Sequence, residues 1–324
     1  MEDSEKYEVF FPYAMKKGLD MDSKNLSFVH YTSASNALRI LRNREITLRR
    51  SSLMNDFSEI DHGEKCLVSA WNSNLGKGVS PDQPGRLAQI LNCISPTLLP
   101  AVEQAFDGSR RERNADTYLL SLAEHDEAKE DRLGKLSMWR AYGGQTNVAL
   151  VIDRSPLLRP APGHAAFTSP VLYSYVQDFR DHFSQLVDSL ETNFDRIKNL
   201  DRDELWGYLV GALNVAAIST KHPGFAEENE WRVIYAPWLN SSESVESQIV
   251  EIGGLPQRVQ KIRLYDQPEV GLTGIAPRDL LKRVIIGPTE HPYVLFDAFV
   301  EELSQAEVED PDSKVIVSDI PIRR

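Results

Sequence analysis

"LSFVHYTSASNALRILRNREITLRR", Leu26 to Arg50, is the stretch from which the fold is read. Its opening, Leu26 to Thr32, is a short apolar run that predicts a buried strand. "SASNALRILRN" follows, with Ser33 or Ser35 as the N-cap and Leu38, Ile40 and Leu41 on one side, and predicts a helix. "EITLRR" predicts a second short strand, and "SSLMNDFSE" a polar loop. Working outward, "GRLAQILNCI" and "TLLPAVEQAF" predict helices between Pro81 and Phe106, the second interrupted by Pro100. Thr117 to Glu124 predicts a strand, "HDEAKEDRLGK" a charged loop, "LSMWRAYGG" a short helix closed by Gly143, and "TNVALVID" a further strand. Val176, Phe179, Phe183, Leu186, Leu190, Phe194 and Ile197 step by threes and fours, and "DELWGYLVGALNVAAIS" follows, which together predict a helical hairpin. "EWRVIYAPW", "QKIRLYD" and "KRVIIGP" predict strands, and the helix "YVLFDAFVEEL" and strand "KVIVSD" close the chain.

Short strands broken by helices, without regular strand–helix alternation, point to an α+β fold. No repeat and no low-complexity linker divides the chain. The expected organisation is one catalytic domain over residues 1–324, carrying a helical insertion at 64–116 and a helical hairpin insertion at 174–220.

The formal net charge of -12 disfavours a protein that coats nucleic acid through bulk electrostatics, although "LRNREITLRR", Leu41 to Arg50, leaves room for a local basic groove. Cys66 and Cys93 have no ligand-like spacing, which fits a reducing cytoplasm and excludes a disulfide scaffold. The N-terminus lacks an apolar signal core, and no run approaches the roughly 18 apolar residues of a membrane span. A cytoplasmic location without membrane association is therefore expected. No dinucleotide-fold glycine fingerprint, phosphate-binding loop, serine-hydrolase elbow or zinc-protease helix motif occurs. His30, His62, His125, His164, His182, His222 and His291 show no metal-ligand spacing, so no metal is expected.

Three elements carry unusual polar and aromatic groups. His30 interrupts an apolar strand; Trp139 and Tyr142 share a helical face; and Glu228 and Glu230 precede the apolar run "WRVIY". If "EENEWRVIY" is extended throughout, both carboxylates fall on one face. Singly, each has an ordinary reading: a hydrogen-bonded core histidine, core packing, and a solvated strand edge.

In this order, a strand histidine, a later helical tyrosine and a late strand glutamate resemble the H-Y-E pattern of ADP-ribosyltransferases. "FVHYTSASNALRILRNREITLR" resembles the start of the DarT-type DNA-modifying toxins. More closely, the chain resembles a large bacterial domain-of-unknown-function family. That likeness rests on His30 to Thr32, "MNDFSE" (Met54 to Glu59), Trp139 to Tyr142, Glu228 to Arg232 and "SDIP" (Ser318 to Pro321). The superfamily resemblance implies a split, mixed or antiparallel sheet and NAD as substrate. It also implies an acceptor of DNA, RNA or protein, and a role as a toxin or phage-defence effector. Cleavage of NAD would build positive charge on the ribose, which Glu230 would stabilise, while Glu228 would orient the acceptor or take its proton. His30, Tyr31 and Thr32 would hold the ribose and nicotinamide, Tyr142 would stack on nicotinamide beside Trp139, and Ser121 would occupy a small polar strand position. Asn55, Asp56 and Glu59 would line the acceptor side, and Arg232 would pair with a glutamate or be structural. A sibling reading is NAD hydrolysis in the same pocket without an acceptor; the rivals of other classes are a non-catalytic binding module, and a metal-dependent nuclease or nucleotide hydrolase built on Asp56, Glu59, Glu228 and Glu230.

Overall fold

The computed structural model describes residues 1–54, 59–80, 82–142, 146–159, 161 and 163–321. The chain forms two units. One comprises Met1–Asp20, Ser51–Thr117 and Ser169–Glu227; the other comprises Met21–Arg50, Tyr118–Thr168 and Glu228–Arg324. The stretches 64–116 and 174–220 both fall within the first unit.

The fold is α+β, built around a ten-stranded mixed sheet. Its strands are β1 (Ser27–Ser33), β2 (Glu45–Arg50), β3 (Tyr118–His125), β4 (Asn147–Ile152), β5 (Phe167–Pro170), β6 (Glu230–Tyr235), β7 (Val245–Ile252), β8 (Leu255–Arg263), β9 (Leu281–Ile286) and β10 (Val315–Val317). The order is β7-β8-β2-β3-β1-β4-β9-β10, with β6 pairing β3 and β5. Only β9 and β10 among the registered pairs of this sheet run parallel; the other registered neighbours are antiparallel. β3 and β6 are buried along nearly their whole length, so both of their faces are covered.

On one face, Phe28, Leu120, Leu122, Trp231, Val233 and Val284 pack with Ala37, Ile40 and Leu41 of helix Ala34–Asn43 and with Phe299 and Leu303 of helix Pro292–Gln305. On the other, Val29, Tyr31, Ala123, Ala149, Val151 and Ile285 pack with Met138 and Trp139 of helix Leu136–Tyr142. Ser33 is the N-cap of helix Ala34–Asn43, its hydroxyl accepting from Asn36 N at 3.3 Å.

β3 is a fork. Its ladder with β1 ends at Val29↔Ala123, and its ladder with β2 covers Arg49↔Leu119 and Arg50↔Tyr118. Between them lies Ser121. Glu124 N donates to Asn229 O at 3.0 Å, so alternation turns the backbone of Leu122 and Glu124 toward β6 and that of Ser121 and Ala123 toward β1. Tyr31, the next residue of β1 whose backbone faces β3, has no registered partner there.

The other unit is helical. Glu59–Trp71, Leu98–Gly108, Phe179–Thr192 and Arg202–Ile218 bury Leu67, Ala70, Val102, Phe183, Leu190, Leu209 and Leu213 in one apolar core. Both helices of the expected hairpin form, the first ending at Thr192 and followed by a short turn of helix at Phe194–Ile197, but both pack on Glu59–Trp71 rather than chiefly on each other. Gly63 permits the close approach of Glu59–Trp71 to Arg202–Ile218: a Cβ there would lie 2.0 Å from the Ala217 carbonyl oxygen. Arg113, 1% exposed, donates to Glu64 at 2.9 and 2.7 Å, to Asn214 Oδ1 at 2.6 Å and to the Phe106 carbonyl at 3.1 Å. This network satisfies its buried charge.

Candidate active site

The fork gathers residues far apart in the chain. β6 lies antiparallel to β3 with Arg232 opposite Ser121 and Glu230 opposite Ala123, so all four side chains share a face. Glu230 is 5% exposed and Arg232 fully buried. Arg232 Nε donates to Glu230 Oε1 at 3.0 Å and Nη2 to Oε2 at 3.3 Å, while Ser121 Oγ donates to Oε1 at 2.7 Å. Burial of either charge alone would be costly, so the paired arrangement fixes both.

His30 enters from the opposite strand of the fork. Its Nδ1 lies 3.0 Å from the Ser121 carbonyl oxygen. A carbonyl only accepts, so Nδ1 carries the proton and the neutral ring presents Nε2 as an acceptor. Burial pushes the His30 pKa below its ordinary value, opposed by the bond to the Ser121 carbonyl. His30, Thr32, Ser121, Tyr142 and Glu228 are each partly exposed, so the fork reaches solvent.

The glutamate pair departs from the expectation of one shared strand face. β6 starts at Glu230, whereas Glu228 closes a 3-10 turn, Pro223–Glu228. Between them Asn229 has φ 44°, a left-handed conformation that asparagine tolerates better than most residues. Glu228 thereby leaves the strand, and its Oε1 accepts from Tyr142 Oη at 2.7 Å. Tyr142, the last residue of helix Leu136–Tyr142, packs against the cluster of Val29, Tyr31 and Ala123. Gly143, expected to close that helix, lies outside the described residues.

The remaining expected site residues divide. Tyr31 is 7% exposed; its ring meets Trp139 edge-on at 4.8 Å, and its hydroxyl accepts from Lys135 N at 2.9 Å. Burial raises the Tyr31 pKa. Only its backbone is directed into the fork. Trp139 is 1% exposed, with Nε1 donating to the Leu133 carbonyl at 2.8 Å, which makes it a core residue behind Tyr31. Thr32 Oγ1 accepts from Asn36 Nδ2 at 2.8 Å. Asn55, Asp56 and the side chain of Glu59 lie outside the described residues. Among the described residues no group of three or more His, Cys, Asp or Glu side chains could hold a metal ion, and no helix is long and apolar enough to cross a membrane.

Sequence reasoning missed Asn229, whose signal is an asparagine set between an acidic turn and an apolar strand. It also missed Asn147, buried in β4, which donates to the Trp139 carbonyl at 2.6 Å and anchors the helix that carries Tyr142. No local pattern marks Asn147.

Residues 138–233 match a family model described as Protein of unknown function (DUF2971). The match contains Trp139, Tyr142, Glu228, Glu230 and Arg232, and leaves β1 with His30 outside. No curated protein and no solved structure matches the chain.

Replacing Arg232 by Met strands a buried carboxylate and is expected to cost about 3–5 kcal/mol in chemical denaturation. The double substitution Glu230→Leu with Arg232→Met is expected to cost less than Arg232→Met alone; an additive loss would contradict the coupling. The depressed His30 pKa means that its contribution to stability is full above about pH 6.5 and is lost as pH falls below that value. An NMR titration is expected to place the His30 midpoint below the free-imidazole value, and His30→Gln to remove that part of the acid sensitivity.

Proposed function

We propose that the chain is an NAD-dependent ADP-ribosyltransferase that uses the fork of its sheet as the nicotinamide-ribose site. One observation carries this reading. A strand histidine and a strand glutamate both bond to Ser121, where the sheet splits, and a helical tyrosine bonds to Glu228, two residues before that glutamate.

The chemistry suits the groups. As the bond between nicotinamide and C1′ of the ribose lengthens, positive charge grows on the sugar. The Glu230 carboxylate, oriented in advance by Arg232 and Ser121, stabilises charge that exists only in the transition state. The His30 Nε2 acceptor suits a hydroxyl of the adenosine-side ribose. The backbone of Tyr31, facing the fork without a strand partner, offers the N–H and C=O that match the carboxamide of nicotinamide as a neighbouring strand would. Tyr142 supplies an aromatic face for the nicotinamide ring, with its hydroxyl tethered to Glu228.

Nicotinamide departs with the electron pair of the broken bond. The acceptor's oxygen or nitrogen forms the new bond to C1′, and its proton passes to Glu228. The acceptor in this reading is a nucleic acid or protein; water in its place would make the reaction NAD hydrolysis. Glu230 already engages a guanidinium and a hydroxyl, which disfavours it as a ligand in the metal-dependent rival.

The test is nicotinamide release from NAD, with and without cell lysate as a source of acceptors. Wild-type protein is expected to release nicotinamide faster with lysate and without sensitivity to chelator. Glu230→Gln is expected to lower the rate by about 10²–10³-fold. His30→Ala, which leaves the buried ion pair intact, is expected to raise KM more than it lowers kcat. Absence of release by folded wild-type protein at high concentration would overturn the reading.

A further inference from the structure

The helical unit contains a cavity that the proposed chemistry does not use. Its walls come from Phe10, Tyr13, Phe179, Phe183, Val215 and Ala216, among other largely apolar neighbours, and it holds about 610 Å³ of free space including its open mouth. The enclosed part measures about 100 Å³, on the order of the roughly 150 Å³ apolar cavity that takes up one benzene ring. No Asp, Glu, Lys or Arg lines it.

Two polar atoms on residues of this wall stand out. Ser219 Oγ and His182 Nδ1 are buried and have no hydrogen-bond partner among the described residues. Ser219 is 4% exposed, at the C-terminal end of helix Arg202–Ile218. His182 lies on helix Phe179–Thr192, with its ring edge-on to Tyr13 at 5.9 Å. Tyr13 is itself fixed, its hydroxyl donating to the Val171 carbonyl at 3.2 Å. Buried polar groups in folded proteins are nearly always paired, and each unpaired one incurs a desolvation cost that a partner would recover.

We propose that this cavity binds a small neutral aromatic molecule bearing one hydroxyl, which satisfies Ser219 and His182. The aromatic walls favour a flat ring in offset or edge contact. Burial lowers the His182 pKa, so its ring is neutral near pH 7 and an anionic ligand would find no counter-charge. A hydroxyl both donates and accepts, which matches a serine hydroxyl and an imidazole nitrogen whose tautomer is free to adapt. A hydrocarbon of the same shape would fill the space and leave both atoms unpaired.

The test uses the full chain with p-cresol and toluene as probes, which differ by that one hydroxyl. Calorimetry is expected to give saturable binding of p-cresol roughly tenfold tighter than toluene, the worth of two modest hydrogen bonds recovered. Ser219→Ala is expected to bring the two probes within about threefold of each other, consistent with losing one such bond. Ala216→Phe, which fills the cavity, is expected to abolish binding of both. A second readout that needs no substitution is the His182 ring resonances of the wild-type protein, which p-cresol is expected to shift saturably. Failure of p-cresol to bind or to shift His182 at millimolar concentration would overturn the proposal. Equal affinity for the two probes in wild type, unchanged in Ser219→Ala, would overturn its polar half.

Discussion

A carboxylate and a guanidinium, both withdrawn from water on one strand, set the geometry on which the candidate site depends. Glu230 and Arg232 share a face of β6, and desolvating either alone would cost several kcal/mol. Their pairing holds the carboxylate in one orientation, and Ser121 Oγ on β3 adds a third donor. On the side away from β6, β3 loses its neighbouring strand at Ser121, the residue whose hydroxyl holds this carboxylate. The His30 ring, bonded to the Ser121 carbonyl, borders the same point from β1. The backbone split and the ion pair are therefore one structural arrangement.

That arrangement resembles what a reaction with a cationic sugar transition state requires: a negative group whose orientation is settled before the charge appears. It also explains the separate fates of the two glutamates. Asn229, in a left-handed conformation, ends the turn and starts the strand, so Glu230 goes to the buried pair and Glu228 to the surface and Tyr142. A continuous strand would have placed two like charges side by side.

Much of the sheet was legible because its strands are apolar runs with clear ends. β1, β4, β6 and β9 all follow that rule, as do the Ser33 cap and the i, i+3, i+4 stripe of helix Phe179–Thr192. β7 was not anticipated, because Val245–Ile252 is largely exposed and mixes charged with apolar residues. The N-terminal helices Asp3–Phe10 and Pro12–Ser23 were missed for a related reason, since the first buries only Val9 and Phe10 and the second only Met21. In the candidate site, His30, Tyr142 and Glu230 were singled out by type and order and Ser121 by resemblance. The Glu228–Tyr142 bond and the core role of Trp139 required coordinates, because a helical i, i+3 spacing does not say which ring packs inward. The fork itself has no local signature, since it arises from where two separate ladders stop.

The most direct measurement is a crystal structure of the Glu230→Gln protein saturated with NAD. The account predicts the nicotinamide ribose against residue 230, the carboxamide on the Tyr31 backbone, and an adenosine-side ribose hydroxyl within hydrogen-bond reach of His30 Nε2. NAD bound elsewhere, or a fork without NAD under saturating conditions, would contradict it and leave the Glu230–Arg232 pair as a structural tie.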